Sequence, residues 1–359
     1  MLIPLSERQT ARCAALLQDR LSAMSVRPEE VWLDLGGLKK VRVLCYHPEA
    51  PVMIRRQLAW SVIPPAQEAD FTLCFWEEPQ MEGFHRRVLG LDVDLDEGDD
   101  YILLSRKDAG LLSLWGEIEY KQGSVSIRDG ETFYYAVGSM DPVSLLKGGH
   151  LFVRNLYRMA DTPASALIHG ACVGVEGTGV LLCARGSRGK STLTVSAMLR
   201  GFDYVSDDYL VLDKGTGALT ASPLYSIITL SPGMYGRLYD DLGPARFVAP
   251  NARGDKYVLD IAAWRDAVRW RYPVRACVFP EIAPGEDARV IPCTAQERGR
   301  AITHLVHSTV SQMMDQGNAA TVRKLIGMLG GLDFYRIRLS ADLYRNVGCL
   351  RDFILGLNA

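Results

Sequence analysis

The chain has 359 residues, 48% of them apolar and 23% charged, a balance that buries a sizeable core and suits about two domains. With 40 basic against 42 acidic side chains the net charge is -2, which excludes the broad positive field of a dedicated nucleic-acid binder. No run approaches the ~18 apolar residues of a membrane span, Ser6-Glu7-Arg8 arrives before any apolar signal region, and the eight cysteines show no CxxC spacing. The expectation is a cytoplasmic protein with reduced core thiols and neither membrane nor nucleic acid as partner.

Residues 6 to 24 are helix-periodic behind a Ser6 cap. Short strand-like blocks follow at Val31–Leu35, Val41–Tyr46, Phe71–Trp76, Tyr101–Leu104 and Phe133–Val137, so residues 1–140 read as a strand-rich α+β domain. Asp141-Pro142 supplies an N-cap with proline at the first helical position, opening a helix to about Met159 and a second domain, 141–359. There the pattern becomes strand, turn, strand, glycine loop, helix, strand, at Leu167–Val175, Gly179–Cys183, Lys190–Leu199 and Phe202–Val205, the core of an α/β unit. Thr294-Ala295-Gln296-Glu297 is a capping box for a helix to about Met314. A helix from Ala319, a strand at Phe334–Leu339 and a closing helix from Ala341 complete a mainly helical C-terminal part.

The loop Ala184-Arg185-Gly186-Ser187-Arg188-Gly189-Lys190-Ser191-Thr192 lies between a buried strand and a helix, where glycines turn backbone N–H groups inward to cradle phosphates. It differs from the G-x-x-x-x-G-K-[ST] pattern only in carrying Ala184 at the first glycine. Gly186, Ser187, Arg188, Gly189, Lys190, Ser191 and Thr192 are the nucleotide-binding candidates, with Lys190 on the β- and γ-phosphates and the Ser191 hydroxyl on Mg²⁺. Asp207-Asp208 ends the next strand. One carboxylate there can order the metal while the other accepts the proton of an attacking hydroxyl. His169 precedes the loop within an apolar strand, where a histidine is more often a satisfied core residue than a site residue.

Other clusters carry less. The acidic run 92–100 has Glu97 and Leu103 where a calcium loop needs glycine and glutamate, and so reads as a solvated loop. His304 and His307 share a helix face without further ligands at metal spacing, and Trp264 and Trp270 bracket a helix end as packing residues.

Taken together, His169-Gly170, Gly189-Lys190-Ser191, Gly201 and Asp207-Asp208 resemble the HPr kinase/phosphorylase family, over about 45 residues from 166 to 210. The resemblance implies an α/β fold whose P-loop domain has the mixed sheet of the HPr kinase and phosphoenolpyruvate carboxykinase type. It also implies ATP and Mg²⁺ as cofactors, His169 near the phosphates, Asp207 on the metal and Asp208 as base toward a serine hydroxyl, with the roles of the two aspartates open to exchange. The family's Glu-x-Arg-Gly-rich segment has no counterpart downstream. The chain is thus similar to a divergent branch that phosphorylates peptide precursors in lasso-peptide-type pathways, with Lys256 or Arg253 as replacement cations. The expected activity is a Mg-ATP-dependent kinase acting on a peptide or small protein; an ATP-binding regulatory or scaffold protein and a small-molecule kinase are the alternatives, and homo-oligomerisation is left open.

Overall fold

The computed structural model describes residues 2–4, 7–79, 102–106, 111–115, 124–141, 150–184, 188–215, 217–243, 248–250, 256–313 and 318–357. The Ser6 cap, the acidic run 92–100, the helix start at 142–149, Arg253 and the loop residues Arg185, Gly186 and Ser187 lie outside them. The fold is mixed α/β, and the chain divides into two compact units: residues 1–34, 39–155 and 249–255, and residues 35–38, 156–248 and 256–359.

The first unit is organised on a nine-stranded mixed sheet. Its order is Leu2–Pro4, Ile102–Arg106, Leu111–Trp115, Ser124–Asp129, Thr132–Val137, Phe71–Glu77, Lys40–Cys45, Glu29–Asp34 and Val62–Ile63. Alternation decides which face is buried: Val41, Val43 and Cys45 point inward while Lys40 is exposed. The helix Glu7–Ser22 lays Cys13 and Leu17 onto Cys74, Trp76, Val125, Ile127 and Ala136, and Arg20 pairs at 3.0 Å with the buried carboxylate of Glu78. A second helix, Glu49–Gln57, has no periodic run long enough to announce it in the sequence.

The helix expected from Asp141 to Met159 is not continuous. Its described part is Val153–Met159, and Phe152 before it has φ 60°, outside the helical region. Packing fixes that break, because the buried Phe152 ring stands edge-on to Phe75 at 4.8 Å and to Tyr135 at 5.4 Å.

The second unit holds another nine-stranded mixed sheet. Seven strands lie in the order Ser165–His169, Tyr209–Asp213, Thr220–Pro223, Tyr272–Ile282, Thr178–Leu182, Ala171–Val175 and Asp203–Ser206; Asp333–Leu339 joins the sheet beside Tyr272–Ile282 and itself pairs with Arg289–Pro292. Thr178–Leu182, Tyr272–Ile282 and Asp333–Leu339 run parallel to one another. After Thr294 the elements are the helices Ala295–Gln312 and Ala319–Leu329, the strand Asp333–Leu339 and the helix Leu343–Gly356, the mainly helical C-terminal part that the sequence implies. The single strand expected over Leu167–Val175 is two, separated at Gly170. The Thr294 capping box forms as read, with both reciprocal bonds, and opens the helix Ala295–Gln312, whose Ala301, Leu305, Val306 and Val310 pack on the sheet core. All eight cysteines are free thiols; Cys183 and Cys277 approach to 3.4 Å on neighbouring strands, where burial holds the Cys277 thiol far above its ordinary range. No helix among the described residues is long and apolar enough to cross a membrane.

Candidate active site

The site forms where two antiparallel pairings break at the same level. Ser165–His169 pairs with Tyr209–Asp213, setting His169 opposite Tyr209, and Ala171–Val175 pairs with Asp203–Ser206, setting Cys172 opposite Ser206. At the break between them the Gly170 N–H donates to the Asp208 carbonyl at 2.7 Å. His169 and the Asp207-Asp208 pair are thereby brought to one point.

The helix Lys190–Leu199 supplies the opposite wall. Gly189 caps it at φ 90°, a left-handed conformation, and a Cβ there would stand 2.8 Å from Leu339 Cδ1. Gly189→Ala is therefore expected to cost about 1–3 kcal/mol in urea unfolding, the range for a side chain forced into that region. An unchanged urea midpoint would show that the cap relaxes freely.

The Lys190 ammonium donates to the Asp207 carbonyl and lies 3.3 Å from Asp208 Oδ1. His169 Nε2 reaches the same Asp208 oxygen at 2.8 Å. His169 and Lys190 thus converge on one carboxylate oxygen from strand and helix walls, which holds the Lys190 ammonium against the aspartate pair beside the first turn of its helix.

The two aspartates sit in different surroundings. Asp207 is 2% exposed; the Tyr204 hydroxyl donates to its Oδ1 at 3.5 Å, Ser191 and Thr229 face its carboxyl closely enough to favour the charged form, and its Oδ2 has no hydrogen-bond partner among the described residues. Burial above all, with the Asp208 charge adding to it, pushes Asp207 up to about 7, against the pull of Lys190, Ser191 and Thr229. A buried carboxyl with an open oxygen beside a serine hydroxyl fits a hard divalent cation that keeps waters and phosphate oxygens as its other ligands. Among the described residues no three or more His, Cys, Asp or Glu side chains gather into a closed metal cage. Mg²⁺ chemistry needs no such cage.

No family model and no curated protein matches the chain. It is similar to a solved structure, the HPr(Ser) kinase/phosphatase from Coxiella burnetii. That similarity is 14% identity over 54% of this chain and 92% of the other, at a TM-score of 0.30. A likeness of that extent carries no argument about chemistry, which rests on the residues themselves.

Of the other sequence candidates, Thr192 stands half-buried in the first turn of the helix, Arg188 is exposed, and Lys256 is exposed in the second unit. Gly186 and Ser187 fall outside the described residues. Three residues that sequence reasoning missed meet His169. Thr309 Oγ1 accepts its backbone N–H at 3.1 Å, Gln312 Nε2 lies 3.1 Å from its Nδ1, and the Tyr209 ring is 5.3 Å from its own. Tyr209 had a signal in its position right after the aspartate pair. Thr309 and Gln312 come from 140 and 143 residues away, beyond the reach of any local pattern.

Proposed function

We propose that the chain is a Mg²⁺-ATP-dependent kinase that moves the γ-phosphoryl group to a hydroxyl, a serine of a peptide or small protein. The observation that carries this reading is the meeting of Lys190, the Ser191–Asp207 pair and the His169–Asp208 pair around one helix N-terminus. Phosphoryl transfer needs little covalent chemistry from the protein; it needs positioning and neutralisation of charge.

In this reading the backbone N–H groups at the start of Lys190–Leu199 and the Lys190 ammonium hold the β- and γ-phosphates. Ser191 and Asp207 would hold Mg²⁺, which when bound supplies charge neutralisation between phosphate oxygens. Asp208 takes the acceptor hydroxyl's proton as the new O–P bond forms, and the bond from the γ-phosphorus to the bridging oxygen breaks to release ADP. His169 and Lys190 keep the base in place. Residues 1–140 serve as the domain that recognises the acceptor or mediates assembly, and the resemblance of residues 166–210 to HPr kinases points to a polypeptide acceptor.

The test is transfer of label from γ-labelled ATP in the presence of Mg²⁺ and a library of serine-containing peptides. Label in peptide is the expected result, and it disappears on chelation of the metal. Nucleotide binding by calorimetry with no label in any acceptor would make the protein a scaffold, and label in a metabolite alone would make it a small-molecule kinase; either overturns the polypeptide reading.

A further inference from the structure

We propose that Gln312 is a positioning residue which, together with Tyr209, holds His169 in the tautomer that donates from Nε2 to Asp208. The inference rests on the reading of Asp208 as the base, and its consequence for the histidine can be measured whether or not that reading holds.

The argument is one of donors and acceptors. The Tyr209 hydroxyl donates to Gln312 Oε1, and Gln312 Nε2, 3.1 Å from His169 Nδ1, faces the ring as a donor. An amide nitrogen cannot accept, so Nδ1 must, and in a neutral imidazole the ring proton then sits on Nε2. Nε2 lies 2.8 Å from Asp208 Oδ1, a carboxylate oxygen that only accepts. Reversing the amide would place an oxygen against Nδ1, draw the proton there, and leave the Nε2 lone pair facing the carboxylate. For a neutral imidazole, the Asp208 carboxylate at Nε2 thus sets the direction of the chain Tyr209, Gln312, His169, Asp208.

The His169 backbone is held by the same helix as well. Thr309 accepts the His169 backbone N–H at 3.1 Å, and Thr309 and Gln312 stand three apart on the helix Ala295–Gln312, hence on one face. That helix is docked on the sheet through Leu305, Val306 and Val310, so a distant part of the chain sets the direction of the histidine. The backbone bond places the strand end, while Gln312 at Nδ1 and Asp208 at Nε2 set the tautomer from the two sides of the ring.

The test is nitrogen NMR of the full chain labelled in its histidines, with His169 assigned by loss of its signals in His169→Gln. Wild-type protein is expected to show His169 protonated at Nε2. Gln312→Leu, a change at an exposed helix end that keeps the bulk, should weaken that preference, leaving only the part that Asp208 enforces at Nε2; Gln312→Glu, which offers an acceptor, should move a proton onto Nδ1; Tyr209→Phe should weaken the preference less than Gln312→Leu does. In the transfer assay Gln312→Leu should lower kcat about tenfold with the KM for nucleotide unchanged, in the range of outer-shell partners elsewhere. A wild-type His169 protonated at Nδ1, or at both nitrogens at neutral pH, overturns the proposal. An unchanged tautomer in Gln312→Leu does so too, as does an altered tautomer with undiminished kcat. Should no acceptor ever take label, the kinase reading falls by itself, and the tautomer of the wild type and of Gln312→Leu still decides this one.

Discussion

Asp208→Asn is expected to lower kcat for phosphoryl transfer by about 10²–10⁴-fold, the usual contribution of a general base, while nucleotide affinity stays the same or tightens. Asparagine keeps the shape, and its oxygen still accepts from His169 Nε2, which is 2.8 Å from the present carboxylate. What it removes is the proton acceptor and a negative charge beside the phosphates. Losing that repulsion favours the bound polyphosphate, so the ground state gains as the transition state loses. Stopped-flow transfer and calorimetry on one variant read both effects. Asp207→Asn should behave differently: its orphan Oδ2 and buried site assign it to the cation, so the Mg²⁺ midpoint should rise by about tenfold, the lower end of metal-site effects. Melting without Mg²⁺ should be no lower than wild type, because the substitution takes a desolvated carboxyl out of the interior. If the two variants exchange these patterns, the roles of the aspartates are reversed.

How much of this site could be read from the chain follows from the range of the forces that make it. The Thr294 capping box and the helix after Gly189 are set by residues within one turn, and both stand as the local pattern implies. The division at Gly170 could not be read, because Leu167–Val175 has no polar turn residues apart from His169 and only the partners differ: one half pairs with Tyr209–Asp213, the other with Asp203–Ser206. That division is also what sets His169 beside Asp208, so the ambiguity between core histidine and site histidine could be resolved only by tertiary pairing. The interruption at Phe152 has the same origin, since a left-handed phenylalanine is tolerated only for the aromatic contacts it makes with Phe75 and Tyr135. Gln312 lies at the far limit. It is an exposed polar residue at a helix end, indistinguishable in sequence from any solvated glutamine.

Lys190→Met is the second large effect, and it tests whether the site is organised before nucleotide arrives. Methionine preserves length and bulk without the ammonium, so transfer should fall by about 10²–10³-fold, as when one preorganised donor is taken from a transition state, and here nucleotide affinity should fall with it. The free protein should suffer too. The Asp207 carbonyl loses its donor, Asp208 loses the cation 3.3 Å from Oδ1, and Asp207 loses the strongest of the influences that hold its carboxyl down. Leaving such groups unsatisfied costs about 1–3 kcal/mol in urea unfolding. The double variant Lys190→Met/Asp208→Asn separates the two consequences: with the facing charge gone, the loss of stability should be smaller than the sum of the single losses by about 1 kcal/mol, while transfer stays abolished. Additive stability losses would mean that Lys190 and Asp208 do not interact in the free protein. The ammonium would then have to be recruited by the phosphates after binding.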